Sequence, residues 1–201
     1  MFINITLNVI LVVCVDNITT VGHKLQIEIL MDYLKAHFKV TINGGLKYIL
    51  GIEVNETEHG LELYQRQYIT NILTHFEVEN CRSVQTPIDP KASLFKADGS
   101  EPPYERTLYQ QIIGSLMYLF TCTHPDLPFS VSFLSRFSSH PLKCHHTAAK
   151  IVFPYIAGIR FLSLKYYQSP TSLPLELYGF SDADYDSCCD TCRYVTGYVL
   201  S

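Results

Sequence analysis

Residues 4–21 read Asn4-Ile-Thr-Leu-Asn-Val-Ile-Leu-Val-Val-Cys-Val-Asp16-Asn17-Ile-Thr-Thr-Val21, and the reading of this stretch decides the fold. Residues 4–15 are apolar on both faces of an extended chain and rich in β-branched side chains. That predicts one strand in a central sheet position. Val15-Asp16-Asn17 supplies a polar tip, and a second extended run continues to Val21. The same N-terminus superficially resembles a secretory signal. It lacks a basic leading region and a small-x-small cleavage site, so the strand reading is preferred and the chain is expected to be intracellular (cytoplasm or nucleus). Asn4-Ile-Thr6, Asn17-Ile-Thr19 and Asn55-Glu-Thr57 fit the glycosylation sequon, which has meaning only for a secreted chain. A reading frame that opens inside a core strand also leads us to expect a piece of something longer.

Outward from this hairpin, His23–Phe38 carries Leu25, Ile29, Leu30, Tyr33, Leu34 and Phe38 at helical spacing, which predicts an amphipathic helix. Asn43-Gly44-Gly45 is a turn. Leu46–Val54 and Leu61–Tyr64 are expected to be strands of one hairpin joined at Glu58-His59-Gly60, followed by a helix over Gln65–Phe76. Cys81–Tyr104, with Pro87, Pro90, Pro102, Pro103 and Gly99, is the best linker in the chain. Helices are expected over Glu105–Thr121, Pro125–Ser138 and Leu142–Gly158. Pro125 suits a first turn, whereas Pro154 should kink or end the last of the three. Leu162–Tyr166, Leu175–Ser181 and Val195–Leu200 complete the pattern as strands. The fold class is α+β.

With 201 residues, 47% of them hydrophobic and 17% charged, the chain is too apolar to be disordered. It is also long enough to bury roughly 70% of its unfolded surface. No apolar run reaches the ~18 residues of a membrane span, so no membrane partner is expected. Lys and Arg number 15 against 19 Asp and Glu, a formal net charge of −4. Such a balance argues against a freestanding protein that grips nucleic acid through phosphates. After Tyr166 the only basic residue is Arg193, against Glu176, Asp182, Asp184, Asp186 and Asp190. The seven cysteines are an odd, scattered set, which suits a reducing compartment better than a disulfide framework.

Two tracts need a chemical reading of their own. Asp182-Ala-Asp184-Tyr-Asp186 opens like a Ca²⁺ loop, but the sixth position is Ser187 in place of Gly and the twelfth is Arg193 in place of Glu. That leaves an acidic turn. Cys188, Cys189 and Cys192 have no second Cys or His pair beside them, the nearest His-rich stretch being His145-His146, so a four-ligand zinc site is not expected.

Taken together, collinear stretches from Cys14 to Tyr198 resemble one family. They are Cys14-Val-Asp-Asn17, Leu34-Lys-Ala-His-Phe38, Leu50-Gly-Ile-Glu-Val54, Thr86-Pro-Ile-Asp-Pro90, Ile113-Gly-Ser-Leu-Met-Tyr-Leu119 and Thr123-His-Pro-Asp126. Ser135-Arg-Phe137, His140-Pro141, His145 with Ala148-Ala-Lys150, Ser181-Asp-Ala-Asp184 and Thr196-Gly-Tyr198 continue the series. They look like the C-terminal part of the reverse transcriptase of copia-type (Ty1/copia) retrotransposon Pol polyproteins, running into the start of its ribonuclease H. The resemblance implies three regions. Residues 1–90 would be the end of the palm with thumb, 91–172 a linker and helical connection segment, and 173–201 the first strands of an incomplete ribonuclease H fold.

The family's strand ends in Tyr-Val-Asp-Asp at a hairpin tip, where carboxylates hold two Mg²⁺ or Mn²⁺ ions that align the primer hydroxyl with the nucleotide. Here Asp16 keeps the first carboxylate, and Asn17 replaces the second with a neutral amide that carries no charge for a divalent ion. The upstream strand with its own Asp would fall before residue 1. Asp182 is, by the same resemblance, the first carboxylate of the ribonuclease H set, whose remaining members would lie beyond residue 201. Several family arginines are replaced: His124 stands in the Thr-Arg-Pro-Asp motif, Phe153-Pro154-Tyr155 in place of Leu-Arg-Tyr, and Cys192 for one of two adjacent arginines. Each change removes a permanent charge and a bidentate phosphate fork. Arg136, Lys143 and Lys150 remain as candidate contacts to an RNA/DNA template–primer, expected to bind weakly at best.

The expectation is a catalytically incompetent fragment of an RNA-directed DNA polymerase and ribonuclease H polyprotein. It would bind no metal of its own and lack an N-terminal Pol portion as partner. The alternative is a repurposed, non-catalytic interaction module, which would be the case in which secretion becomes relevant.

Overall fold

The structure is a computed structural model that describes residues 2–4, 8–15, 17–89, 94, 102–167, 178–184 and 195–200. The chain divides into two compact units, Met1–Lys47 and Tyr48–Ser201. In the first unit, β1 (Phe2–Asn4), β2 (Val9–Cys14) and β3 (Asn17–Gly22) form an antiparallel sheet in that order, and α1 (Lys24–His37) packs on β3. The strand expected over residues 4–15 is therefore two strands. β1 turns back along β2 in the register Asn4↔Val9, with Asn8 in the left-handed region at φ 51°. Asn tolerates that conformation better than most residues, so the reversal falls where the apolar run is broken by Asn8. β2 does hold the central place, between β1 and β3.

The second unit has an antiparallel sheet in the order β4 (Tyr48–Ile49), β5 (Ile52–Thr57), β6 (Gly60–Tyr64), β7 (Leu164–Tyr167). The single strand expected over Leu46–Val54 is broken by a tight reversal at Leu50 (φ 48°) and Gly51 (φ 78°), between the pair Ile49↔Ile52. Two consecutive left-handed residues make the two-residue turn whose twist suits a hairpin. β5 and β6 pair as expected, from Glu53↔Tyr64 to Thr57↔Gly60. A separate hairpin joins β8 (Gly179–Asp184) to β9 (Val195–Leu200) in the register Asp182↔Gly197. For the strand expected over Leu175–Ser181, residues 175–177 lie outside the described residues.

Four helices supply the core: α2 (Arg66–His75), α3 (Arg106–Cys122), α4 (Pro128–Ser135) and α5 (Lys143–Ile159). Ile69, Ile72 and Leu73 of α2 meet Tyr109, Ile112, Ile113, Leu116 and Leu119 of α3, together with Val131 and Leu134 of α4. From α5 come Ala148, Ala149, Val152, Phe153 and Ile156. On α3 these positions fall at intervals of three and four, one stripe of a helix. The Tyr109 hydroxyl, fully buried, donates to the Leu134 carbonyl at 2.8 Å, and burial pushes its phenol up.

Two proline expectations change. α4 begins at Pro128, not Pro125; residues 125–127 form a turn in which the Leu127 amide donates to the His124 carbonyl at 3.2 Å. α5 runs through Pro154 to Ile159. An interior proline costs ~3 kcal/mol, but Val152, Phe153 and Ile156 are each buried at a gain of roughly 1.5–3 kcal/mol apiece. Packing outweighs the lost backbone bond.

Sheet and helices are tied by charge. Glu53 of β5 takes a salt bridge from Arg66 at 2.9 Å and the Gln67 amide at 3.2 Å, placing an anion at the N-terminal end of α2, where the helix dipole favours it. Arg66 also lies over the Tyr64 ring, 4.2 Å from its centroid. At the β6–β7 edge, Glu62 pairs with Lys165 at 2.9 Å and accepts from Tyr64 at 2.7 Å and Asn55 at 3.1 Å. Lys165 first, then Tyr64 and Asn55, hold its carboxyl down from 4.5 to about 2. No helix among the described residues is long and apolar enough to cross a membrane.

Leu116→Ala is expected to destabilise the chain by about 2–5 kcal/mol. Tyr109→Phe should cost only about 0.5–1.5 kcal/mol, because the Leu134 carbonyl keeps backbone partners. Denaturant titration of both variants checks the ranking. Because the folded pKa of Glu62 is depressed, its contribution is present above pH 4.5 and is lost as pH falls towards about 2. Glu62→Gln should therefore flatten the stability profile across that window, read by denaturant midpoints at successive pH values.

Candidate functional site

The motif residues of the first unit sit at the β2–β3 turn. Cys14 and Asn17 face each other in the last register pair. Val15 projects 90% exposed with φ 50°, a strained setting for a β-branched residue. Asn17 is exposed at the first position of β3, and its side chain offers an amide oxygen and amine with no charge. Asp16 lies outside the described residues.

In the second unit Asp182 is on β8, exposed and in register with Gly197. Asp186, Cys188, Cys189 and Cys192 lie outside the described residues, as does the side chain of Asp184. Among the described residues, no three His, Cys, Asp or Glu side chains come together in a group that could hold a metal ion. A two-ion centre needs several carboxylates converging; of the pair at the β2–β3 turn, Asn17 offers a neutral amide and Asp16 lies outside the described residues.

The basic candidates are placed on the helices. Arg136 caps the end of α4 with its guanidinium 5.5 Å from the Phe133 centroid. Lys143 and Lys150 are both exposed on α5, seven residues and so about 10 Å apart along its axis. His146 and Thr147 lie between them on the same helical face. His146 stacks on Tyr104 with centroids 3.8 Å apart, its Nε2 2.9 Å from the Tyr104 hydroxyl. Burial and then Lys150 push the His146 ring down, so at neutral pH the stripe carries the charges of the two lysines. The arrangement can meet phosphates as two point charges and offers no planar fork.

The stretch 50–54 shows something the linear pattern hides. The Tyr118 hydroxyl of α3 donates to the Leu50 carbonyl in the β4–β5 turn. A Cβ added at Gly51 would stand 3.1 Å from that hydroxyl. Burial and the neighbouring Cys122 push the Tyr118 phenol up to about 12. Helix and turn are thus coupled by a residue 68 positions away from its partner, a link with no local signal. Gly51 alone hinted at a close approach.

Comparison with known proteins adds an independent line. Residues 1–90 match the family described as reverse transcriptase (RNA-dependent DNA polymerase). The chain is 33% identical over 195 residues to the retrovirus-related Pol polyprotein from transposon RE1 of Arabidopsis thaliana, covering 96% of this chain and 13% of that one. To the corresponding polyprotein from transposon RE2 of the same plant it is 32% identical over 191 residues, 94% of this chain and 13% of the relative. The polyprotein from transposon TNT 1-94 of Nicotiana tabacum is 31% identical over 201 residues, 96% of this chain and 15% of the relative. The chain thus spans 13–15% of the length of these curated relatives. No solved structure matches it. A collinear match over nearly the whole chain, with reverse-transcriptase sequence in residues 1–90, places this chain in the family of copia-type retrotransposon Pol polyproteins.

Proposed function

We propose that this reverse-transcriptase-like segment keeps the scaffold of a nucleic-acid polymerase without its chemistry. The observation that carries the reading is Asn17. At the hairpin turn where the family places a pair of carboxylates, this chain has one carboxylate and one amide. A two-ion displacement needs enough negative charge to hold both ions against their hydration, and replacing a carboxylate by an amide removes one unit of it. In this reading residues 1–90 are the end of a palm with thumb. Residues 91–172 are a linker and connection segment, and 173–201 the first strands of a ribonuclease H. Asp16 and Asp182 are remnants of two metal centres, and no Mg²⁺ or Mn²⁺ is bound. The setting is intracellular, with a template–primer as the ancestral partner.

Residual affinity for an RNA–DNA hybrid falls to Arg136, Lys143 and Lys150. Arg136 is partly committed to the Phe133 ring, which leaves the two exposed lysines of α5 as the main contacts. A chain of net charge −4 with so few phosphate contacts should bind at the non-specific level of ~10⁻⁴–10⁻⁶ M, or more weakly, at physiological salt.

The 201-residue chain should give no primer extension on a primed RNA template with Mg²⁺ or Mn²⁺. Extension above a no-enzyme control overturns the proposal. In anisotropy titrations with an RNA–DNA hybrid at low salt, Lys143→Ala with Lys150→Ala should reduce the slope of log affinity against log salt by about 2. An unchanged slope would remove α5 from the interface, and nanomolar binding at physiological salt would contradict the weak-binding reading.

A further inference from the structure

Gln65 immediately precedes α2, Thr123 closes α3, and His124 opens the turn that leads into α4. All three are buried, Gln65 at 0%, His124 at 3% and Thr123 at 6% exposure. The Thr123 hydroxyl donates to Gln65 Oε1 at 2.7 Å and lies 2.8 Å from His124 Nδ1. A threonine hydroxyl has a single proton. Given away to Gln65, it leaves the oxygen to act as acceptor towards the ring, so His124 Nδ1 must carry the hydrogen. His124 Nε2 is then a bare acceptor, and it and Gln65 Nε2 are buried with no partner among the described residues.

From this geometry we propose that the Gln65–Thr123–His124 chain is an acid-sensitive joint, closed by a neutral, Nδ1-protonated His124 and loosened when Nε2 takes a second proton. A proton on Nε2 would create a buried cation whose N–H has no acceptor in the described residues, the costly case for a polar group in the interior. The groups facing the ring do little to offset this. α2 and α3 present the neutral Gln65 and Thr123. Asp126, in the turn before α4, attracts the cation, but its carboxylate already accepts the Tyr155 hydroxyl of α5 at 2.7 Å. The balance agrees: burial pushes the His124 ring down, and Asp126 opposes this as the smaller influence.

The joint has a mechanical meaning. Gln65 is the single residue between β6 and α2, so the contact fastens the sheet's exit to the end of α3. For a histidine depressed in the folded state, stability is fully present above its ordinary 6.5 and is lost as pH falls below it. This is a milder acid range than the Glu62 window.

Nitrogen-15 NMR of the histidine-labelled full chain tests the proposal without any variant. At neutral pH, His124 should show a protonated Nδ1 and a bare Nε2. A second arm compares the denaturation midpoint at pH 7.5 and 5.5 for the wild type and for His124→Asn, whose amide can still donate to Thr123 but does not titrate. The wild type should lose more than the variant, which retains the part due to His146. A proton on Nε2 at neutral pH, or an equal loss in the two proteins, overturns the joint.

Discussion

Burial of one face of α3 is the constraint on which the second unit depends. Tyr109, Ile112, Ile113, Leu116 and Leu119 are covered by α4 and α5 and join the core that includes α2. At roughly 1.5–3 kcal/mol for each large side chain removed from water, this stripe outweighs any single polar contact in the chain. The polar contacts then decide geometry. Tyr109 fixes α4 against α3, Tyr118 fixes the β4–β5 turn, and Thr123 fixes the entry to α2. α3 is thus the part against which the sheet of the second unit is oriented.

The parts of the fold that depend on local pattern were legible in the sequence. α1 follows from spacing at three and four, and α1, α2, α3 and α5 each begin and end within one residue of the expected bounds. The β5–β6 hairpin follows from alternation about Glu58-His59-Gly60. What was not legible required information from elsewhere in the chain. Leu50-Gly51 reverses a run that reads as one strand, and the reversal is secured from α3. β7 finds its place beside β6 through an ion pair between residues 62 and 165. Pro154 breaks the local rule because the helix on either side of it is buried.

The site residues divide in the same way. The position of Asn17 at a hairpin turn could be read from an apolar run, a polar tip and a second extended run. His124 could not be placed from the linear pattern. Seen as a sequence it is a lost arginine; in the fold it is a buried ring with a defined hydrogen-bond order. Burial favours the neutral form of that ring. The core around α3 is well packed, with Tyr109, Leu116 and Leu119 at its centre.

The central claim is that scaffold and metal chemistry have come apart. A Mn²⁺ titration followed by electron paramagnetic resonance, on the folded 201-residue chain, tests it directly. The account predicts that the signal of free Mn²⁺ grows in proportion to the metal added, with no stoichiometric binding. Uptake of one or two ions per chain, abolished by Asp16→Asn or by Asp182→Asn, would contradict it.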